Sequence, residues 1–324
     1  MYGPLEARRF VCILALIGLN SVQMGCNRTQ EGPPACTAPV AASLASPGAQ
    51  VQYVFIALEE NHSFSKVIGN TSDMPYLNGL ATTYAYAQGY YANTHPSIGN
   101  YFMLTTGQII TNDDDFSGEV SADNIVRHLL GAGKTWKEYS ENLPSVGYVG
   151  GDTDGYTRHH NPLSYFSDVR ENSTQARNLV PFAQFATDLA HHTLPSYSFI
   201  VPNNNDNVHD GSLAQADSWL QTNLDPLIRS SDFSTPGGGL LIIVFDESVT
   251  SDAVDGGGHV AWVVVGPDVK RGYVSTTCYQ HQSTLRFMSE AIGLTSFPGA
   301  AAMAPNMGSS SLDIEGFGLR TERP

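Results

Sequence analysis

Residues 240–245 form the apolar run LLIIVF, which is rich in β-branched side chains and holds no polar residue. Such a run is typical of a strand buried on both faces, as in the parallel sheet of an α/β protein. Asp246 and Glu247 follow at once, so two carboxylates lie at the carboxyl end of this strand. Ligands of open α/β sheets bind at that end of the strands, which makes it a candidate site.

Other segments repeat the alternation of strands with helices. Strands are predicted at residues 51–58, 197–201 and 260–265, and helices at 74–84, 122–130, 213–227 and 282–292. This order predicts a three-layer α/β/α sandwich with a mostly parallel central sheet. Residues 141–180, rich in Gly, Asn, Asp and Tyr, predict long loops over a site.

Composition limits the partners of the chain. Its 324 residues can bury a large core, and its formal net charge is −15. A nucleic-acid partner is not expected, because no basic surface is available to neutralise a phosphate backbone. Some of the acidic side chains would be neutralised locally if they hold a metal cation.

The amino-terminal residues carry an export pattern. Arg8 and Arg9 precede an apolar run at 10–19, which is followed by small residues and Cys26. This pattern predicts a signal peptide, and the run is too short for an integral membrane span. The predicted organisation is a signal peptide at 1–26, a flexible leader at 27–49 and a catalytic domain at 50–324. We expect a secreted or periplasmic protein, with simple cleavage favoured over a lipid anchor at Cys26.

The cysteine content fits an oxidising compartment. The four cysteines are Cys12, Cys26, Cys36 and Cys278, and no two of them have metal-ligand spacing. A disulfide between Cys36 and Cys278 would tie the leader to the late part of the domain.

Ser97 lies in a Pro- and Gly-containing turn directly before a segment that reads as a helix. The first turn of a helix has unpaired N–H groups that suit a phosphate, and a hydroxyl beside bound phosphate is a candidate nucleophile. The alternative is that Ser97 only caps the helix. The nearby run at 113–115 (DDD) resembles a cation-binding loop, but a solvated turn is the favoured interpretation.

Several strand ends deliver polar groups to one edge of the predicted sheet. Glu60 and Asn61 follow the first strand, and Asp246 and Glu247 follow the core strand. Buried side by side, these carboxylates need a cation, and an all-oxygen set favours Ca²⁺, Mg²⁺ or Mn²⁺. The alternative is that these residues cap the helices that follow.

In these segments the chain resembles the bacterial phosphoesterase family of secreted acid phosphatases and phospholipases C, within the alkaline phosphatase superfamily. The matching segments occur in family order: 60–64 (ENHSF), 95–101 (HPSIGNY), 160–162 (HNP), 203–212 (NNNDNVHDGS), 217–220 (DSWL), 245–247 (FDE), 258–260 (GHV), 266–270 (GPDVK) and 280–286 (QHQSTLR). The resemblance implies an alkaline-phosphatase-like fold.

The resemblance also implies roles for individual residues. Ser97 corresponds to the nucleophile, and His160 and His209 to histidines that contact the phosphate or protonate the leaving group. The implied metal ligands and substrate-binding residues are Glu60, Asn61, Asp246 and Glu247 for the metal, and Asn100, His95 and His159 for the substrate.

Two positions depart from the family pattern. Gly99 replaces the usual proline of the nucleophile turn, which we expect to loosen that turn, and Glu247 stands where some relatives have a second aspartate.

The resulting hypothesis is a secreted, metal-assisted acid phosphatase that hydrolyses phosphomonoesters through a phosphoserine intermediate. The substrate would be a small phosphate ester or a phospholipid head group. Alternatives are a phospholipase C or other phosphodiesterase using the same site, and a catalytically silent surface protein that keeps the fold for adhesion.

Overall fold

The computed structural model describes residues 50–308. The predicted signal peptide, the leader and Cys26 therefore lie outside the described residues. The strands are β1 (Tyr53–Glu59), β2 (Ala85–Tyr91), β3 (Trp136–Ser140), β4 (Leu179–Pro181), β5 (Tyr197–Val201), β6 (Gly239–Phe245), β7 (Trp262–Val265) and β8 (Tyr273–Gln280). The helices are α1 (Phe64–Val67), α2 (Pro75–Thr83), α3 (Ser97–Thr106), α4 (Ile125–Gly131), α5 (Ser167–Arg170), α6 (Ser173–Ala176), α7 (Ala183–Ala190), α8 (Leu213–Arg229), α9 (Ser231–Ser234) and α10 (His281–Ala291).

These strands form one sheet in the order β4-β3-β5-β1-β6-β7-β2-β8. Strand β7 is antiparallel to both of its neighbours, and the other adjacent pairs are parallel. Helix α2 packs against α8, and α3 packs against α10. The helices cover both faces of the sheet, so the predicted α/β/α sandwich with a mostly parallel sheet is confirmed.

The centre of the core is the β1–β6 pair. Every residue of β6 is buried, and β1 is buried from Val54 onward. The two strands run in parallel register from Tyr53 opposite Gly239 to Glu59 opposite Phe245. Because they run in parallel and end together, the residues that follow each strand meet at one edge of the sheet.

The segment at 141–180 is more ordered than the sequence indicates. It holds α5 and α6, two 3₁₀ helices (Arg158–His160 and Pro162–Tyr165) and the first residues of β4. The predicted loops in this segment are therefore interrupted by short helices. Its 3₁₀ helices place His159 and His160 beside the carboxyl ends of the central strands.

Two further observations bear on the amino-terminal predictions. No helix between residues 50 and 308 combines the length and apolar character that crossing a membrane requires. Cys278 on β8 is disulfide-bonded, and the chain's other cysteines fall outside the described residues.

Candidate active site

The ends of β1 and β6 bring the acidic residues together. The Asn61 N–H donates to Asp246 Oδ1 at 3.2 Å, which joins the two strand ends directly. Glu60 and Asp246 are fully buried and Glu247 is almost fully buried. The convergence expected from the sequence is therefore present: residues about 185 positions apart in the chain share one site.

Ser97 is the first residue of α3 and points at this acidic cluster. The N-cap position belongs to Pro96, and no side chain caps the helix from there. The Ser97 hydroxyl instead donates to Glu60 Oε2 at 3.2 Å. The geometry thus favours the nucleophile interpretation over the capping interpretation, since the oxygen is directed at carboxylates rather than at its own helix.

Asn100 holds the turn in front of Ser97. Its Oδ1 accepts from the N–H groups of Asn93 at 2.9 Å and Thr94 at 3.2 Å. Its amide nitrogen donates to the Thr94 carbonyl at 2.8 Å and to Glu247 Oε2 at 3.4 Å. These bonds use the donors and acceptors of the side chain, so the geometry favours a positioning role. The substrate contact implied by the resemblance stays a prediction.

Tyr101 and His160 contact the second oxygen of Glu60. Tyr101 donates its phenolic hydrogen to Glu60 Oε1, and His160 Nε2 lies 3.3 Å from the same oxygen. The Tyr101 and His160 rings stack with their centroids 5.1 Å apart. Burial lowers the pKa of His160 well below its usual value, and the neighbouring His159 and His209 add to this effect. Sequence reasoning missed Tyr101, which reads there as a core residue of a helix.

The other predicted histidines surround this centre at different distances. His95 Nδ1 lies 3.1 Å from Glu247 Oε2, and its Nε2 bonds to the Asp252 carbonyl at 3.0 Å. His159 packs edge-on against His160 with ring centroids 4.4 Å apart. The His209 ring lies 6.0 Å from that of His160 and pairs with Asp210. His95 therefore contacts the acidic cluster directly. The rings of His159 and His209 lie beside the ring of His160.

The electrostatics of the cluster are unfavourable for three ionised carboxylates. Burial, with the charge of Asp246 next, raises the pKa of Glu60 well above its usual value. Burial raises the pKa of Asp246 to about 6, and burial together with the Asp246 charge raises the pKa of Glu247 to about 9. Without a compensating cation, these raised pKa values favour the protonated forms of the carboxyl groups.

Comparison with known proteins decides the class. The profile of the Phosphoesterase family matches residues 70–295. The chain belongs to the Phosphoesterase family. It is a phosphoric ester hydrolase.

Curated relatives agree with this assignment. This phosphoesterase is 32% identical over 256 residues to a phosphatidylinositol-3-phosphatase of Mycobacterium tuberculosis, covering 78% of this chain and 80% of that protein. It is 29% identical to a phosphate-repressible acid phosphatase of Penicillium chrysogenum, covering 88% of this chain and 71% of the other. A probable acid phosphatase of Kluyveromyces lactis is 32% identical, and the match spans 57% of its length.

Solved structures confirm the fold of the phosphoesterase. An alkaline phosphatase superfamily protein from Vibrio parahaemolyticus matches with a TM-score of 0.57 and 12% identity, covering 77% of this chain and 69% of that one. A lipoteichoic acid synthase from Listeria monocytogenes matches with a TM-score of 0.59 and 10% identity, covering 82% of this chain and 78% of that one.

The acidic cluster of this phosphoesterase carries oxygen donors that suit a divalent cation. Across residues 50–308, no group of three or more His, Cys, Asp and Glu side chains is arranged as it stands to hold a metal ion. The donor chemistry nevertheless fits one. Asp246 Oδ2 is buried without a hydrogen-bond partner. The Asn61 side-chain amide donates its N–H groups to Glu247 Oε1 at 3.2 Å and to Glu60 Oε2 at 3.3 Å, which places this side chain among the carboxylates. Hard cations prefer oxygen donors of this kind.

Asp114 is a second site residue that the sequence interpretation missed, because it assigned the whole run at 113–115 to a solvated turn. Its Oδ1 accepts from the Ile98 N–H at 3.1 Å, at the amino end of α3 and next to Ser97. Asp113 and Asp115 are exposed, as expected of a solvated turn, but Asp114 is half-buried. The turn therefore carries one carboxylate into the site.

Proposed function

We propose that this phosphoesterase is a secreted, metal-assisted acid phosphatase that hydrolyses phosphomonoesters through a phosphoseryl intermediate on Ser97. The observation that carries the proposal is the bond from the Ser97 hydroxyl to Glu60 in a buried acidic cluster, at the first residue of a helix. The predicted signal peptide supports export. Relatives named acid phosphatase and phosphatidylinositol-3-phosphatase support the phosphate-ester substrate class.

Each step of the proposed reaction is assigned to a group of the candidate site. Ser97 Oγ attacks phosphorus, and Glu60 Oε2, which accepts its hydrogen bond, is the nearest acceptor for the serine proton. N–H groups of the first turn of α3, which have no partner within the helix, stabilise the phosphoryl oxygens. The bond from phosphorus to the leaving oxygen breaks, and an imidazole, His160 or His209, protonates that oxygen. Water then attacks phosphorus and releases Ser97 and inorganic phosphate.

The residues that would hold a divalent cation are Glu60, Asn61, Asp246 and Glu247. Such a cation would lower the pKa of the Ser97 hydroxyl and stabilise charge on the transferring phosphoryl group. The burial that lowers the pKa of His160 means that acidic solution is needed to charge this imidazole. A phosphatase that uses it as an acid would work best below neutral pH.

The decisive experiment measures hydrolysis of an aryl phosphate across pH, with and without a chelator, for the wild-type chain and Ser97→Ala. We expect a loss of at least about a thousandfold in Ser97→Ala, because the nucleophile is removed. Ser283→Ala, which removes a buried hydroxyl on α10, is the matched control and should keep full activity. Acid quenching during turnover followed by mass spectrometry should place the phosphate on Ser97.

Three results would contradict the proposal. Full activity in Ser97→Ala would remove the phosphoserine route. Faster hydrolysis of phosphatidylcholine than of phosphomonoesters, at equal enzyme concentration, would favour the phospholipase C alternative. Complete inactivity of a folded wild-type chain toward both substrates would favour a binding protein.

A further inference from the structure

The carboxylate of Asp114 occupies a donor at the end of α3 where the proposed phosphate would bind. Its Oδ1 accepts from the Ile98 N–H at 3.1 Å. Ile98 directly follows Ser97, so this N–H is one of the first-turn donors that have no partner within the helix. An internal anion thus lies on a donor that suits the substrate anion.

Gly99 allows the turn to reach this position. A Cβ atom on residue 99 would lie 2.3 Å from Asn112 Oδ1, 2.5 Å from Thr94 Cγ2 and 3.2 Å from the Thr111 carbonyl oxygen. The segment preceding Asp114 therefore packs on the helix at the point where residue 99 has no side chain. The sequence interpretation expected Gly99 to loosen the nucleophile turn, but its close neighbours show that it accommodates this contact.

The charge of Asp114 reaches the centre of the site. It acts on Glu247, whose pKa is raised first by burial, then by Asp246 and then by Asp114. It also acts on His159, where its negative charge opposes the lowering of the pKa by burial. A phosphate bound to Ser97 would thus experience the Asp114 charge together with the cluster.

We propose that Asp114 competes with phosphate for the amino end of α3 and so weakens the binding of inorganic phosphate, the reaction product. This inference rests on the proposed phosphatase function of the same site. Two anions cannot share the Ile98 N–H equally, and a fixed carboxylate nearby repels a bound dianion. Weaker product binding favours release, a step that limits turnover in many enzymes.

The alternative is that Asp114 only caps α3. Asp114→Asn separates the two roles, because the asparagine oxygen still accepts from the Ile98 N–H while the charge is removed. Asp113→Asn is the matched control. Asp113 is exposed, and its Oδ1 accepts from the Asp115 N–H instead of from α3.

The experiment measures inorganic phosphate binding to the full chain by calorimetry, with a divalent cation present, and phosphate inhibition of aryl phosphate hydrolysis. We expect Asp114→Asn to bind phosphate about five- to tenfold more tightly than wild type, and Asp113→Asn to stay within about twofold. The difference should shrink in high salt, because it is electrostatic.

Unchanged or weaker phosphate binding in Asp114→Asn, with normal hydrolysis by the wild type, would overturn this inference and leave the proposed function intact. A wild-type chain that neither hydrolyses the aryl phosphate nor binds phosphate would overturn both.

Discussion

Tyr101 donates its phenolic hydrogen to Glu60 Oε1, while Ser97, one helical turn earlier on α3, donates to Oε2 of the same carboxylate. A single helix therefore supplies donors to both oxygens of one buried glutamate. His160 contacts this pair from the opposite segment, with Nε2 3.3 Å from Oε1. This arrangement fixes the carboxylate plane that faces the proposed nucleophile.

Tyr101→Phe should reduce kcat/KM for an aryl phosphate by about 10- to 100-fold. This is the range seen when a hydrogen bond to a metal-ligating side chain is removed. The phenol lowers the pKa of Glu60 against burial, so its loss makes the carboxylate easier to protonate. The ring stack on His160 can persist, and the chain should fold. Steady-state kinetics measures the effect on activity, and thermal melting measures the effect on stability.

Tyr139→Phe is the control for that substitution. It also removes a buried phenol that donates to a carboxylate, that of Asp188 at 2.7 Å. It should change stability without changing kcat/KM. Equal losses of activity in both variants would assign the effect of Tyr101 to folding rather than to the site.

Removal of divalent cations should abolish hydrolysis and lower the melting temperature, and Ca²⁺, Mg²⁺ or Mn²⁺ should restore both. A ligand that binds only the native state stabilises it by about 2.7 kcal/mol at one hundred times its Kd. Asp246→Asn should remove the response to cations. Its stability without cation should equal or exceed that of the wild type, because a buried charge is gone.

Asp73→Asn is the exposed control for Asp246→Asn and should respond to cations as the wild type does. Wild-type activity that survives complete metal removal would overturn the coordination scheme.

Gly99→Ala and Gly79→Ala should change stability in opposite directions, although both add one methyl group to a helix. At Gly99 the methyl group meets Asn112, Thr94 and Thr111, whereas at Gly79 in α2 no neighbouring atom lies within 4 Å. We expect Gly99→Ala to cost about 1–3 kcal/mol and to reduce activity. Gly79→Ala should gain about 0.5–1 kcal/mol with activity unchanged. Urea denaturation measures both, and a stabilising Gly99→Ala would show that the turn at 111–114 is not packed on α3.

Asp188→Asn should lower the free energy of unfolding at neutral pH by about 1–2 kcal/mol, through weaker hydrogen bonds. Burial raises the pKa of Asp188, but hydrogen bonds from Lys137, Tyr139 and Gln184 outweigh it, and the pKa lies below its usual 3.8. The stabilisation is therefore present above pH 4 and is lost as the pH falls through the depressed value. Denaturation at pH 7 and pH 3 tests this, and a constant difference between variant and wild type at both would contradict it.

The central strands and their ends could be predicted from the sequence, because a continuous apolar run indicates a strand that is buried on both faces of the sheet. The predicted strand at 197–201 coincides with β5, and the run at 240–245 lies within β6. Glu60 and Asp246 follow from the same reasoning, since parallel strands end at one edge. The antiparallel direction of β7 could not be predicted in this way. It depends on the neighbours of β7 in the sheet, and a short apolar run looks the same in either direction.

The remaining elements depend on tertiary contacts. β4 has three residues, and β2 (AYAQGYY) lacks a clear alternation of polar and apolar side chains, so neither stands out from the surrounding segments. Tyr101 is spaced like any core residue of a helix, and Asp114 lies in a polar run typical of a solvated turn. Their contacts arise only when α3, β1 and the turn at 111–115 come together.

The position of β1 in the sheet has a consequence for biosynthesis. Its neighbours β5 and β6 begin at Tyr197 and Gly239, long after β1 itself has left the ribosome. β1 can therefore pair on both sides only after β6 has been synthesised. Strand pairs that are far apart in the sequence form slowly. A nascent chain that includes Ser97 but has not reached residue 247 lacks Asp246 or Glu247, so the acidic cluster is complete only after β6 has been synthesised.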